Sequence, residues 1–190
     1  MNNQYIIAGC NGAGKTTASF TVLPEMLNCG EFVNADEIAR GLSTFNPDKA
    51  AIEAGRLMLK KIDDLMGVKV DFAFETTLSS RSFVNTISKA KESGYQVTLL
   101  FFWLESVNLA IERVKIRVEE GGHNIPEDVI RRRYYSGLKN FFQLYLSKCD
   151  YWMLIDNSKM KQIIVAEGSK DTKTEIINSI TFDKILNLTK

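Results

Sequence analysis

The chain has 190 residues, 45% apolar and 25% charged, with a formal net charge of +1. That length buries a sizeable core and favours one domain spanning residues 1–190, while the near-neutral balance offers no global field for nucleic acid or an anionic membrane. No apolar run approaches the ~18 residues of a membrane helix, no secretory leader is expected, no internal repeat is seen, and the three cysteines lack metal spacing and read as reduced thiols of a cytoplasmic protein.

A short apolar run (Tyr5, Ile6, Ile7, Ala8) predicts the first strand. Directly after it, residues 9–16 read G-C-N-G-A-G-K-T, the phosphate-loop pattern in its required setting of strand, glycine turn and helix. Gly9, Gly12 and Gly14 let backbone N–H groups of the loop, including those of Asn11 and Ala13, turn toward phosphate oxygens. The following helix, expected over residues 14–27, aims its positive end at the same anion. Lys15 reaches the terminal phosphates, Thr16 offers its hydroxyl to Mg²⁺, and Thr17 completes the nucleotide-binding run. The ligand is therefore a nucleoside triphosphate, with ATP and Mg²⁺ as the expected pair.

The second strand is short (residues 31–34), and the residue that matters follows it. Asp36 falls at a carboxyl edge, where a carboxylate can take the proton of an attacking hydroxyl. Capping the next helix is its bland alternative. Pro47 opens a long helix, with Asp48 in the first turn and a stripe of Ala51, Ile52, Gly55, Met58, Leu59, Ile62, Leu65 and Met66. Glu53 and Arg56 lie off that stripe, as a surface pair or as the edge of a substrate cleft. Residues 70–74 predict the third strand. Glu75 ends it beside the phosphate loop, suited to the metal's shell or a substrate hydroxyl. Thr77 and Arg81 are placed to line the same cleft, Arg81 being equally readable as an exposed charge.

Ser80 is expected to cap the next helix, which Gly94 closes. Residues 97–104 are almost continuously apolar, as in a strand buried on both faces. Arg113 and Arg117 share one face of the helix after it. Two basic helices joined through Gly121-Gly122-His123 suggest a lid over residues 113–133, with a solvated charged face as the alternative. His123 is a hinge residue or a ligand contact. In the run Arg131-Arg132-Arg133, Arg131 is favoured as the phosphate contact, with Arg133 as its substitute. The last parallel strand (residues 151–155) is followed by Asn157, readable as an adenine contact or a turn residue. Residues 161–165 suggest a short edge strand, and a surface helix is expected from about residue 174. Strand–helix alternation of this kind means an α/β, doubly wound parallel sheet covered on both sides, with its ligands beyond the strands' carboxyl ends.

Several stretches together resemble the zeta toxin family of P-loop kinases. They are residues 9–17, Val33-Asn34-Ala35-Asp36, the Phe-Ala-Phe-Glu-Thr-Thr of residues 72–77, Ala110-Ile111-Glu112-Arg113-Val114, and Gly121-Gly122-His123 through Pro126 to Arg133-Tyr134. The resemblance implies ATP-dependent phosphorylation of a small-molecule hydroxyl. The best-known zeta toxins phosphorylate UDP-N-acetylglucosamine, a sugar nucleotide, and are held inactive by a protein antitoxin. By that likeness Asp36 is the base, Glu75 and Thr77 occupy the family's acidic and threonine positions, and Arg113 matches a transition-state arginine. Larger toxins carry another lid arginine shortly before a proline. Here Gly121-Gly122-His123 precedes Pro126, so Arg131 or Arg133 has to replace it.

Two other readings compete with a small-molecule kinase. A polynucleotide 5′-hydroxyl kinase pairs the same loop with the same Asp but needs a basic groove for the strand. An ATP-driven switch needs a water-orienting group and a partner half-site, and neither has a signature in this chain.

Overall fold

The longest apolar runs lie next to one another at the centre of one seven-stranded sheet. The computed structural model describes residues 1–190 apart from His123, Asp171 and Lys190, and apart from the side chains of Met26 and Asp48. Strand β1 (Asn2–Gly9) is flanked by β3 (Phe72–Thr76) and β4 (Tyr95–Trp103), with Ile6 opposite both Phe74 and Leu99. With β2 (Glu31–Val33) and β5 (Tyr151–Asp156) the parallel order is β2-β3-β1-β4-β5. Side chains on both faces of these strands are buried, which explains runs without polar alternation.

Beyond β5, the last parallel strand, the sheet continues with antiparallel strands. Residues 161–165 do not form a short edge strand. Strand β6 (Ile163–Ser169) runs antiparallel to β5, bulged at Leu154/Ile155, and the two-residue β7 (Glu175–Ile176) pairs beyond it. The chain therefore returns from β5 as a hairpin and not through a helix. As a result, helical cover on one face is incomplete. A groove of about 880 Å³ runs over that face, lined by Tyr5, Leu100, Phe102, Met153, Ile155 and Ile164 among others.

The helices are α1 (Lys15–Thr21), α2 (Ala35–Leu42), α3 (Pro47–Val68), α4 (Phe83–Glu92), α5 (Val107–Glu119), α6 (Glu127–Asn140) and α7 (Ser179–Asn187). Helix α1 stops six residues short of the expected end. Pro24 cannot donate back along the helix, and Val22–Met26 widens into a π turn closed by Leu27 N–H on the Val22 carbonyl. The third strand begins at Phe72 and not at residue 70, because α3 runs through Val68 and ends on Lys69 at φ 54. Helix α4 starts at Phe83 without a side-chain cap; Ser80 bonds the Ser82 hydroxyl instead.

What holds the segment before α4 is α6. The Asn140 amide donates to the Leu78 carbonyl (2.7 Å), and the Tyr145 hydroxyl to that of Ser80 (2.7 Å). Gly137 lets α6 approach so closely that a Cβ there would lie 2.3 Å from the Thr77 carbonyl oxygen. This contact sets α6 beside the carboxyl end of β3. No described helix is long and apolar enough to cross a membrane.

Candidate active site

The phosphate loop leaves β1 at Gly9, turns through Gly12 and Gly14 at φ 79, and enters α1 at Lys15. Three of its glycines combine positive φ with close neighbours: a Cβ on Gly9 would lie 2.3 Å from the Phe102 carbonyl oxygen. A Cβ on Gly12 would meet the Ala110 carbonyl of α5 at 2.6 Å, and one on Gly14 the Asn157 amide at 2.5 Å. Asn157 is thus a brace for the loop: its side-chain N–H₂ donates to the Ala13 carbonyl at 2.7 Å. It does not line the cavity over the loop, and neither do Gly9 and Ala13; Asn11, Gly12, Gly14, Lys15, Thr16 and Thr17 do.

Glu75, at the end of β3, gathers the polar groups at the loop's mouth. Its carboxylate lies 3.4 Å from the Lys15 ammonium, with both side chains at most a tenth exposed. It also accepts from the Thr16 hydroxyl (2.6 Å) and the Asn34 amide (2.9 Å). Lys15 donates further to the Cys10 carbonyl at 2.9 Å. Two hydrogen bonds and an ion pair on one carboxylate offset the cost of holding it away from water. The Cys10 thiol is pushed up to about 11 by burial, against the lowering pull of Lys15, so it stays protonated and unreactive at neutral pH.

Asn34 is a residue that the chemistry-led reading passed over. It is the N-cap of α2, its side-chain oxygen accepting from Asp36 N–H (2.8 Å) and Glu37 N–H (3.4 Å). An Asn just before a helix is itself a capping signal. Because Asn34 caps, Asp36 does not have to. It sits in the first turn of α2, exposed, with a carboxylate that has no hydrogen bond or ion pair among the described residues.

The arginines separate. Arg113 gives both terminal nitrogens to carbonyls of the loop after β5, Asn157 (2.9 Å) and Ser158 (2.8 Å), while lining the loop cavity. Arg117 lines the same cavity. Arg131 does not reach the site: it is about half exposed and turns to Asn108 (3.3 Å) and Glu127 (3.9 Å). Arg133 takes its place, donating to the Asn11 side chain at 3.0 Å. Arg131 and Arg133 flank the buried stripe of α6 on opposite sides, each by a similar angle at ~100° per residue. Periodicity therefore could not choose between them. Gly137, one turn beyond Arg133 and pressed on the Thr77 carbonyl, marks the flank that faces the cleft. Arg81 follows the second of its two readings, an exposed charge outside the cleft lining. His123 lies outside the described residues.

Two cavities meet over this floor. One, of about 290 Å³, covers the phosphate loop and the start of α1. The other, of about 360 Å³, opens between α3 and the β3–α4 segment, with Thr77, Phe83 and Arg56 in its lining. They share Asn11, Lys15, Asp36 and Glu75. A triphosphate in the first and a second molecule in the second would face each other across Asp36.

Residues 3–168 match the family model described as Zeta toxin. An uncharacterized protein of Haemophilus influenzae is 33% identical over 135 residues, 70% of this chain and 94% of that protein. Among solved structures, the AvrRxo1-ORF1:-ORF2 crystal structure with ATP superposes with a TM-score of 0.79 at 17% identity, covering 97% of this chain and 63% of that one. A structure from the PezAT toxin-antitoxin system of Streptococcus pneumoniae gives a TM-score of 0.68 at 14% identity, covering 100% and 84%. This chain thus spans less than two thirds of the AvrRxo1 protein it superposes on.

Proposed function

We propose that this chain, which belongs to the zeta toxin family and has the fold of a P-loop kinase, transfers the terminal phosphate of ATP to the hydroxyl of a small molecule. The observation that carries the reading is the pair of cavities sharing Asp36, Lys15 and Glu75. A hydrolase needs one substrate cavity and a water; a transferase needs two cavities joined at the reacting centre.

In this reading Asp36 accepts the acceptor's proton as the hydroxyl oxygen attacks the terminal phosphorus. The bond to the bridging oxygen breaks, and ADP leaves with that electron pair. Its free carboxylate is suited to the step, since no internal partner has to be given up. Lys15 and Arg133 counter the charge on the transferring oxygens, and Arg113 fixes the loop after β5. The segment from residue 113 to 133 serves as the lid. Thr16 and Glu75 supply the oxygen ligands that a hard cation prefers, and they would hold Mg²⁺. Bound there, the ion supplies charge neutralisation for the phosphates.

A sugar nucleotide is the acceptor that family membership favours, and the toxin-antitoxin origin of the PezAT neighbour supports a protein antitoxin as partner. The test is ATP turnover with UDP-N-acetylglucosamine, gluconate, shikimate, nucleosides and a 5′-hydroxyl oligonucleotide added singly. Turnover rising at least tenfold with one small molecule is the expected result. Turnover indifferent to all of them contradicts the reading.

A further inference from the structure

One face of α3 has no role in the fold. The helix packs through Ala50, Ala54, Met58, Ile62 and Leu65, all buried. A second stripe, Ile52, Gly55, Arg56 and Leu59, follows the i, i+3, i+4, i+7 spacing of one helix face and lines the cavity opposite the phosphate loop. Its members are poor choices for a plain solvated surface. Ile52 is 75% exposed and Leu59 41%. Gly55 is a poor helix former compared with Ala. Nothing in the fold requires it, since a Cβ there meets no atom within 4 Å. Arg56 makes no hydrogen bond or ion pair among the described residues, although Glu53 lies one turn away. The other cations of this cavity are engaged, Lys15 with Glu75 and Arg133 with Asn11.

We propose that this stripe is the acceptor's seat, with an anionic group of the acceptor held by Arg56 and its body laid over the bare backbone at Gly55. A guanidinium presents a planar fork that fits carboxylate or phosphate oxygens. Without a Cβ at Gly55, a flat or apolar moiety reaches the helix between Ile52 and Leu59. Arg56 is then a specificity-determining residue, selecting acceptors with an anion set away from the hydroxyl that Asp36 deprotonates. The inference rests on the kinase reading above for its direction, but it concerns binding and is testable without turnover.

The experiment is calorimetric titration of the full chain, loaded with Mg²⁺ and a non-hydrolysable ATP analogue. Probes matched in body but not in charge are used: N-acetylglucosamine 1-phosphate against N-acetylglucosamine, and glucuronate against glucose. The two pairs separate phosphate from carboxylate as the source of the anion. At least one anionic probe is expected to bind tenfold or more tightly than its neutral partner. The preference falls below twofold in Arg56→Gln and partly returns in Arg56→Lys. Lys60→Gln, which removes an exposed charge one turn along α3 outside the cavity, keeps it. Gly55→Ala raises the melting midpoint by about 2–4 °C through helix propensity while weakening the same probe; a merely structural Gly55 would leave binding alone. No anionic preference in either pair, or one that survives Arg56→Gln, overturns the proposal. The kinase reading fails separately: an Arg56-dependent preference without phosphate transfer to any probe leaves the seat standing, whereas transfer without the preference removes the seat and keeps the kinase.

Discussion

Glu75 organises the site by standing where two hydrogen bonds and an ion pair converge. Lys15, Thr16 and Asn34 all meet its carboxylate, so phosphate loop, second strand end and third strand end are tied through one side chain. If it also shares the Mg²⁺ shell with Thr16, Glu75→Gln should raise the Mg²⁺ concentration for half-maximal turnover at least tenfold, read by metal titration. An unchanged requirement would remove Glu75 from the metal. The arginines of α6 offer a sharper contrast. Arg133 bonds a loop residue while Arg131 points to solvent and Glu127. Arg133→Ala should lower kcat by about a hundredfold or more, the scale of a lost charge at a transferring phosphoryl group. Arg131→Ala, at an exposed ion pair, should stay within about twofold. Equal losses in the two variants would return the choice to the undecided state in which periodicity leaves it.

At the scale of elements, the site depends on how closely helices press on loops. Helix α6 contacts the β3–α4 segment through Gly137, Asn140 and the chain leading to Tyr145. Leu78 sits within that segment at φ 53, an uncommon conformation for a side-chain-bearing residue, and is fully buried. Gly137→Ala drives a Cβ into the Thr77 carbonyl and should destabilise the protein by about 1–3 kcal/mol, seen as a lower urea midpoint, and should raise the acceptor KM as Thr77 shifts. Gly55→Ala, into open space, should do the opposite to stability. This contrast also marks what the sequence could carry. The order of strands and helices was legible because buried parallel strands need continuous apolar runs and the phosphate loop needs its glycines. The cavity-lining face of α3, where Arg56 at the expected cleft edge left two readings open, and the cleft-facing flank of α6 were not fully so. Both depend on which side of an amphipathic helix a distant loop packs against, and no local pattern encodes that. The hairpin β5–β6 was underread for a related reason: its residues alternate too weakly to separate a short edge strand from a seven-residue interior one.

For the whole molecule, the sheet is pinned at the amino ends of its strands as well as at the site. Asp150 accepts from Lys91 Nζ (2.7 Å) and from Val97 N–H (2.9 Å), joining α4, β4 and the entry to β5. Burial pushes its carboxyl up, but those hydrogen bonds and the neighbouring charges of Lys91 and Lys170 outweigh it, and the net shift is downward from 3.8. A carboxylate lowered in the folded state binds fewer protons there than in the unfolded chain. Its stabilisation is therefore complete above the unfolded value and is lost as pH falls through the folded one. Denaturant midpoints should drop on acidification below about pH 4, and Asp150→Asn should remove that component while costing stability at neutral pH. An acid limb identical in the variant would assign it to other carboxylates.

Two cavities that share Asp36 suit this fold to phosphate transfer between two bound molecules. The most direct measurement is the fate of label from terminally labelled ATP in a single turnover with each acceptor of the panel, for the native chain and for Asp36→Asn. With the native chain, label is expected on one small-molecule acceptor. With Asp36→Asn, transfer falls by at least about a hundredfold while ATP affinity stays within about threefold, because Asp36 makes no contact that holds the phosphate loop. Label recovered only as inorganic phosphate from every mixture, or transfer that survives Asp36→Asn unchanged, would contradict this reading.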